Sequence, residues 1–261
     1  MEYIAQPPKN RVCEVFLDFD GTISTLRCGW EEVMEPLMIE MISGNAPADE
    51  TLVNEVRSYI DESTGIQTIF QMKWLAETVK RYGQSKVMSP WTYKAEYNRR
   101  LMVNVSRRLE DLLSGSATPS EFMVNGSEAF LSALRERGIK LFVASGTDDS
   151  DVKKEIYALG LSGYFSRIAG APEGVERCSK EAVMREFWRG IAGSELCVIG
   201  DGKVEIKLGR ENGARTLGVA SDEIAQCGVN NEKRIRLINA GADAIVGDFC
   251  DLDKILEFLG W

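Results

Sequence analysis

The sequence predicts an α/β fold: a doubly wound, parallel, Rossmann-like sheet core interrupted by an all-helical insertion. Three observations carry this. Short, nearly continuous apolar runs at residues 12–19, 139–144, 196–199, 216–220 and 244–246 suit parallel strands buried on both faces. Helical stretches at 127–137, 150–159, 179–189, 204–212, 232–240 and 252–259 alternate with them, and Gly138, Gly160, Gly213 and Gly241 stand where four of those helices should stop. From about residue 29 to 113 there is no convincing strand, and four helical patterns follow one another.

In chain order, the first strand run ends in Phe16-Leu17-Asp18-Phe19-Asp20-Gly21-Thr22. The insertion opens with Trp30, Val33, Met34, Leu37, Met38 and Met41 at helical spacing, and Pro36 is expected to kink or restart that helix. The fourth helix places Tyr97, Leu101, Val105, Leu109 and Leu112 on one face. Breaks fall at 43–47, 63–65 and 83–90, and the Ser114-Gly115-Ser116-Ala117-Thr118-Pro119 stretch reads as a return linker. The aromatic and methionine stripes read as the core of a helical subdomain. The expected division is residues 1–26 and 115–261 for the α/β core and 27–114 for the insertion.

The 261 residues carry 31 Lys+Arg against 40 Asp+Glu, a formal charge of −9, which disfavours nonspecific binding to nucleic acid or anionic membrane. There is no histidine, so Ser-His-Asp and Cys-His catalysis and every His-ligated metal site are excluded. The six cysteines contain no Cys-x-x-Cys pair and read as free thiols of a reducing cytosol. No signal peptide pattern and no run of about 18 apolar residues is present. The expectation is a cytoplasmic protein, monomer or homodimer, with no nucleic-acid or membrane partner.

In an open parallel sheet, ligands bind at the carboxyl ends of the strands. Asp18 and Asp20 lie at the first such end. Ser145, with Gly146 and Thr147 in a flexible amide-rich turn, follows the second, ahead of a helix whose N-terminus suits an anion. Lys180 opens an intervening helix, and Gly200-Asp201-Gly202 with Glu205 one helical turn on follows a third strand. Each alone has a bland reading as a turn, a helix cap or a surface charge. Together, two acids from different strands can hold Mg²⁺, while Ser, backbone amides and Lys supply donors for a phosphoryl group.

This ordered set resembles the haloacid dehalogenase (HAD) superfamily of aspartate-nucleophile phosphotransferases over nearly the whole chain, the insertion matching that superfamily's cap. The resemblance implies Asp18 as nucleophile and Asp20 as general acid/base. It implies Ser145, Gly146 and Lys180 as the phosphate clamp. Mg²⁺ would be held by Asp18, the Asp20 carbonyl and Asp201, with Glu205 acting through a metal-bound water. Candidate specificity residues are Arg27 and the polar loop Glu62-Ser63-Thr64-Gly65 running into Gln67 and Thr68. The implied activity is Mg-dependent hydrolysis of a small phosphorylated metabolite, a sugar phosphate being the named candidate. Asp20 argues against the dehalogenase and phosphonate-cleaving branches. Alternatives are a sugar phosphomutase, a phospho-accepting signalling domain like response-regulator receivers, and an idle relative serving as a binding module.

Overall fold

The computed structural model describes residues 1–6, 10–172, 174–175 and 180–261. The described elements run β1 (Glu2–Tyr3), β2 (Glu14–Leu17), α1 (Trp30–Ser43), α2 (Glu50–Glu62), α3 (Thr68–Tyr82), α4 (Pro90–Ser114), α5 (Ser127–Glu136), β3 (Lys140–Asp148), α6 (Asp149–Ala158), β4 (Arg167–Ala171), α7 (Lys180–Phe187), β5 (Leu196–Gly200), α8 (Lys203–Glu211), β6 (Arg215–Val219), α9 (Asn231–Ala240), β7 (Ala244–Val246) and α10 (Leu252–Phe258). The seven strands form one sheet in the order β1-β7-β6-β5-β2-β3-β4. All neighbours are parallel except β1, which pairs antiparallel with β7.

Strand β2 is central, with β3 on one side and β5 on the other. Leu17 pairs with both Val143 and Ile199, so the three carboxyl ends finish almost level. The strand order reverses there, which is where an open α/β sheet leaves a crevice. Alternation along β2 sends Val15 and Leu17 into one core and Phe16 into the other. The first core includes Phe130, Ile156 and Phe258 from α5, α6 and α10, and the second includes Met184, Phe187 and Leu208 from α7 and α8. Burial on both faces is why these strands read as unbroken apolar runs.

Helices α1 to α4 pack about a core of their own, in which Met34, Met38, Leu52, Val56, Met72, Leu75, Tyr93 and Leu101 are buried. Leu109 packs against both this core and that of the sheet. No helix of the described residues is long and apolar enough to cross a membrane.

The structure departs from the sequence expectations at two edge strands, at the end of β3 and at Pro36. Strands β1 and β4 were not expected: β1 has two residues, and β4, Arg-Ile-Ala-Gly-Ala, is an edge strand without an apolar run. Strand β3 continues through Ser145, Gly146 and Thr147 to Asp148 rather than ending in a flexible turn, with its register against β4 shifting between Ala144 and Asp148. Helix α1 runs unbroken past Pro36, an exposed position, while Met34, Leu37 and Met38 anchor its other face. Ser179, expected to open a helix, and Cys178 lie outside the described residues.

Phe16 ties the central strand to its helical cover. Its ring stacks on Phe142 at 4.8 Å and meets Trp188 edge-on at 5.5 Å, and it is 1% exposed. Phe16→Ala should lower the unfolding free energy by about 3–5 kcal/mol in urea titrations. A loss under about 1 kcal/mol would contradict the packing described.

Candidate active site

Asp18 follows the last residue of β2. Its backbone N–H donates to the Ile199 carbonyl at 2.9 Å, so the residue is fixed to β5 as well as to its own strand. Its carboxylate Oδ1 accepts from the Lys180 ammonium at 2.5 Å, and the same ammonium donates to Glu205 Oε2 at 3.1 Å. The other Glu205 oxygen accepts from the Gly202 N–H at 2.7 Å, capping the start of α8. Carboxylate oxygens of Asp18, Asp201 and Glu205 all lie within 4.8 Å of one another, and the three residues are buried. A small set of hard oxygen donors in that space fits a magnesium-like cation.

Three buried carboxylates this close repel one another. Burial pushes the Asp18 carboxyl well above the ordinary carboxylate range; the Lys180 ammonium opposes this, while the charges of Glu205, Asp201 and Asp20 reinforce it. Burial alone would push the Lys180 ammonium down, but Asp18 and Glu205 outweigh it and hold it protonated.

Asp20 is turned the other way. Its Oδ2 accepts hydrogen bonds from Thr147 Oγ1 at 2.8 Å and Ser145 Oγ at 3.1 Å. Its Oδ1 is buried with no hydrogen-bond partner among the described residues, and the Arg27 guanidinium lies 3.8 Å away. The Asp20 carboxylate is therefore apart from the acidic trio. Ser145, 3% exposed, also accepts the Thr147 N–H at 3.0 Å, so its hydroxyl is engaged within the protein. The extended end of β3, rather than a loose turn, presents both hydroxyls.

A cavity of about 100 Å³ lies over these groups. Asp18, Asp20, Arg27, Thr68, Gly146, Lys180 and Asp201 line it, whereas Ser145, Gln67 and Glu205 do not. Its far wall is Trp30, Ile66, Gln71, Tyr97 and Leu101, all from the helical insertion. The loop leading into α3 sits tightly on the sheet edge: a Cβ added to Gly146 would stand 3.0 Å from the Ile66 carbonyl oxygen. Gln67 is buried behind that loop, with neither amide atom hydrogen-bonded among the described residues. Arg27 is held by Glu155 at 2.6 and 3.0 Å and approaches Asp151 at 3.5 Å, so it joins the loop after β2 to α6.

The sequence reading passed over Thr147, although it quoted the residue beside Ser145. It also missed Lys233, whose buried ammonium reaches Asp201 at 3.0 Å and Glu223 at 2.6 Å. A lysine early in a polar helix looks like any surface lysine. The available signal was the position of the preceding loop, which leaves β6 at the same edge of the sheet as the three motif-bearing strands.

A sequence model of the haloacid dehalogenase-like hydrolases matches residues 15–213, about three quarters of the chain. The chain belongs to that family. A search of curated proteins found no match. Among solved structures, it is similar to a protein described as a predicted phosphatase from Clostridium acetobutylicum, with 21% identity, a TM-score of 0.62, and coverage of 95% of this chain and 100% of the other. It is also similar to a predicted phosphoglycolate phosphatase from Haemophilus somnus, with 16% identity, a TM-score of 0.63, and coverage of 94% and 98%. A β-phosphoglucomutase from Clostridium difficile shows 15% identity, a TM-score of 0.63, and coverage of 95% and 97%. At these identities the likeness concerns the fold: a sheet core with a helical cap, as in other HAD-like hydrolases.

The Arg27–Glu155 pair generates a test within this HAD-like site. Burial pushes the Glu155 carboxyl up to about 7 from an ordinary 4.5, with Arg27 opposing the rise. In Arg27→Met the opposition is gone, so the folded variant keeps that proton to a still higher pH, while the unfolded chain releases it near 4.5 in either protein. Through this carboxyl, stability falls with rising pH in both proteins up to about pH 7 and goes on falling only in the variant above it. The variant's deficit in urea unfolding should therefore be larger by about 1.4 kcal/mol near about pH 8 than near about pH 5. Equal deficits at both values would contradict this arrangement.

Proposed function

We propose that this HAD-like hydrolase is a Mg²⁺-dependent phosphatase that hydrolyses a small phosphate monoester, a sugar phosphate being the first candidate, through an aspartyl-phosphate on Asp18. The observation that carries the reading is one ammonium, that of Lys180, bridging Asp18 and Glu205 with Asp201 alongside. A carboxylate in such a place can face a phosphoryl dianion only if positive charge is gathered around both. Held at the acidic trio, Mg²⁺ would neutralise charge on the phosphoryl oxygens as they rearrange.

Asp18 attacks phosphorus, forming an O–P bond as the ester O–P bond breaks. The departing oxygen takes its proton from Asp20. The Ser145 and Thr147 hydroxyls fix one oxygen of Asp20, which leaves Oδ1, free of hydrogen bonds among the described residues and with the Arg27 guanidinium 3.8 Å away, to exchange that proton. The resulting Asp20 carboxylate then takes a proton from water as that water attacks the aspartyl-phosphate, releasing inorganic phosphate and restoring Asp18. Lys180 holds the nucleophile in line throughout. Any contact of Asp20 with the ion is assigned to its backbone carbonyl. The walls from Trp30, Ile66, Tyr97 and Leu101 would exclude bulk water and meet the organic part of the substrate. Cys13, Cys28, Cys197, Cys227 and Cys250 are free thiols, which supports a cytosolic setting.

A panel of phosphorylated metabolites, assayed for phosphate release with and without Mg²⁺, tests this directly. Release that depends on Mg²⁺ and favours one monoester supports hydrolysis. Conversion of a sugar 1-phosphate to an isomeric phosphate without release would make the enzyme a mutase instead, and a long-lived aspartyl-phosphate without turnover would make it a signalling domain. Asp18→Asn should abolish both turnover and the acid-stable, hydroxylamine-sensitive phosphoprotein. Asp20→Asn should keep metal binding while losing about 10²–10⁴-fold in turnover. Full activity in the Asp18 variant would end the mechanism.

A further inference from the structure

The loop after β6 and the first turn of α9 bring a second buried ammonium to the edge of the acidic trio. Lys233 is 8% exposed, and its Nζ donates to Asp201 Oδ2 at 3.0 Å, to Glu223 Oε1 at 2.6 Å and to Ser221 Oγ at 3.4 Å. The Ser221 hydroxyl in turn donates to the Gly21 carbonyl at 2.6 Å, binding this loop to the turn that carries Asp20. Ser221, Glu223 and Lys233 all lie outside 15–213, the segment that matches the family.

Local physics gives Lys233 no reason to be there. It occupies the first turn of α9, its N–H received by the Asn230 side chain at 3.0 Å. The positive end of a helix dipole disfavours a cation, and burial disfavours it further. The contacts that offset both penalties are to Asp201 and Glu223. The turn opposite makes room for them: Gly21 has φ +72°, a Cβ there would overlap the Asp201 carboxylate, and it would stand 3.1 Å from Glu223 Oε1.

We propose that Lys233, with Glu223 as its counter-charge, is the positioning residue for Asp201: it grips one carboxylate oxygen and thereby fixes the orientation of the group beside Asp18 and Glu205. Gripping a carboxylate with a bare ammonium would repel any divalent ion beside it. Glu223, itself a wall of the cavity, cancels that charge, so the pair acts as a neutral hydrogen-bond donor. Outer-shell partners of this kind orient ligating carboxylates. The inference rests on the reading of the trio as a divalent-cation site.

The test is the dissociation constant of Mn²⁺ for the full chain without substrate, read from the electron paramagnetic resonance of free Mn²⁺. Lys233→Met should weaken binding by about 10–100-fold and Lys233→Arg should restore most of it. Glu223→Gln, which leaves the ammonium uncancelled, should also weaken binding, and it carries the test if the methionine variant does not fold. With substrate and saturating metal, the methionine variant should lower kcat more than it raises KM. Variants that bind Mn²⁺ as tightly as wild type, or more tightly, overturn the positioning role alone. Wild-type protein that binds no divalent ion overturns the cation site and this inference with it.

Discussion

The site depends on charge compensation in a buried place. Asp18, Asp201 and Glu205 come from two strand ends and a helix start, and their oxygens lie within 4.8 Å of one another. At an effective dielectric of about 20, two unit charges at about 4 Å repel by about 4 kcal/mol. The Lys180 ammonium, in contact with two of the three, is what makes the arrangement tolerable. Burial and the neighbouring acids, which that ammonium only partly offsets, leave the first carboxylate as a group that gains from further positive charge. A structure that kept the acids and lost that ammonium would be destabilised where its chemistry is meant to happen.

The rest of the fold serves this convergence. Register between β2 and its two neighbours puts Asp18, Ser145 and Asp201 at one lip, because Leu17, Val143 and Ile199 pair side by side. The two cores, one on each face, hold the central strand rigidly enough to keep that lip in shape. The helical cap has a core of its own and lends the sheet edge a wall in which Trp30, Ile66, Tyr97 and Leu101 are joined by Thr64, Thr68 and Gln71. Division of labour follows: polar chemistry belongs to the sheet, and shape around the organic part of a ligand belongs to the cap.

Much of this was legible in the residues. Parallel strands buried on both faces leave apolar runs, and helices of a doubly wound sheet stop at glycines, so five of the seven strands and the four helices of the cap could be read directly. The two missed strands lie at the sheet's edges, where no continuous apolar run is required. Asp18, Asp201, Glu205 and Lys180 could be named because motifs at strand ends have a shared destination. Side-chain direction could not be read: that Asp20 turns to Thr147, that Glu205 spends one oxygen capping its own helix, and that Arg27 is held by Glu155 are facts of packing. Lys233 was invisible for a different reason, since a polar helix start gives no sign of whether its lysine faces inward.

The central claim is that one cation site is shared by residues far apart in the chain and balanced by Lys180. Anomalous diffraction from crystals equilibrated with Mn²⁺ tests it most directly. The account predicts one strong peak within about 2–2.5 Å of carboxylate oxygens of both Asp18 and Asp201, with the Lys180 ammonium still against Asp18. A peak bound elsewhere, or none at this lip with the two carboxylates turned apart, would contradict it.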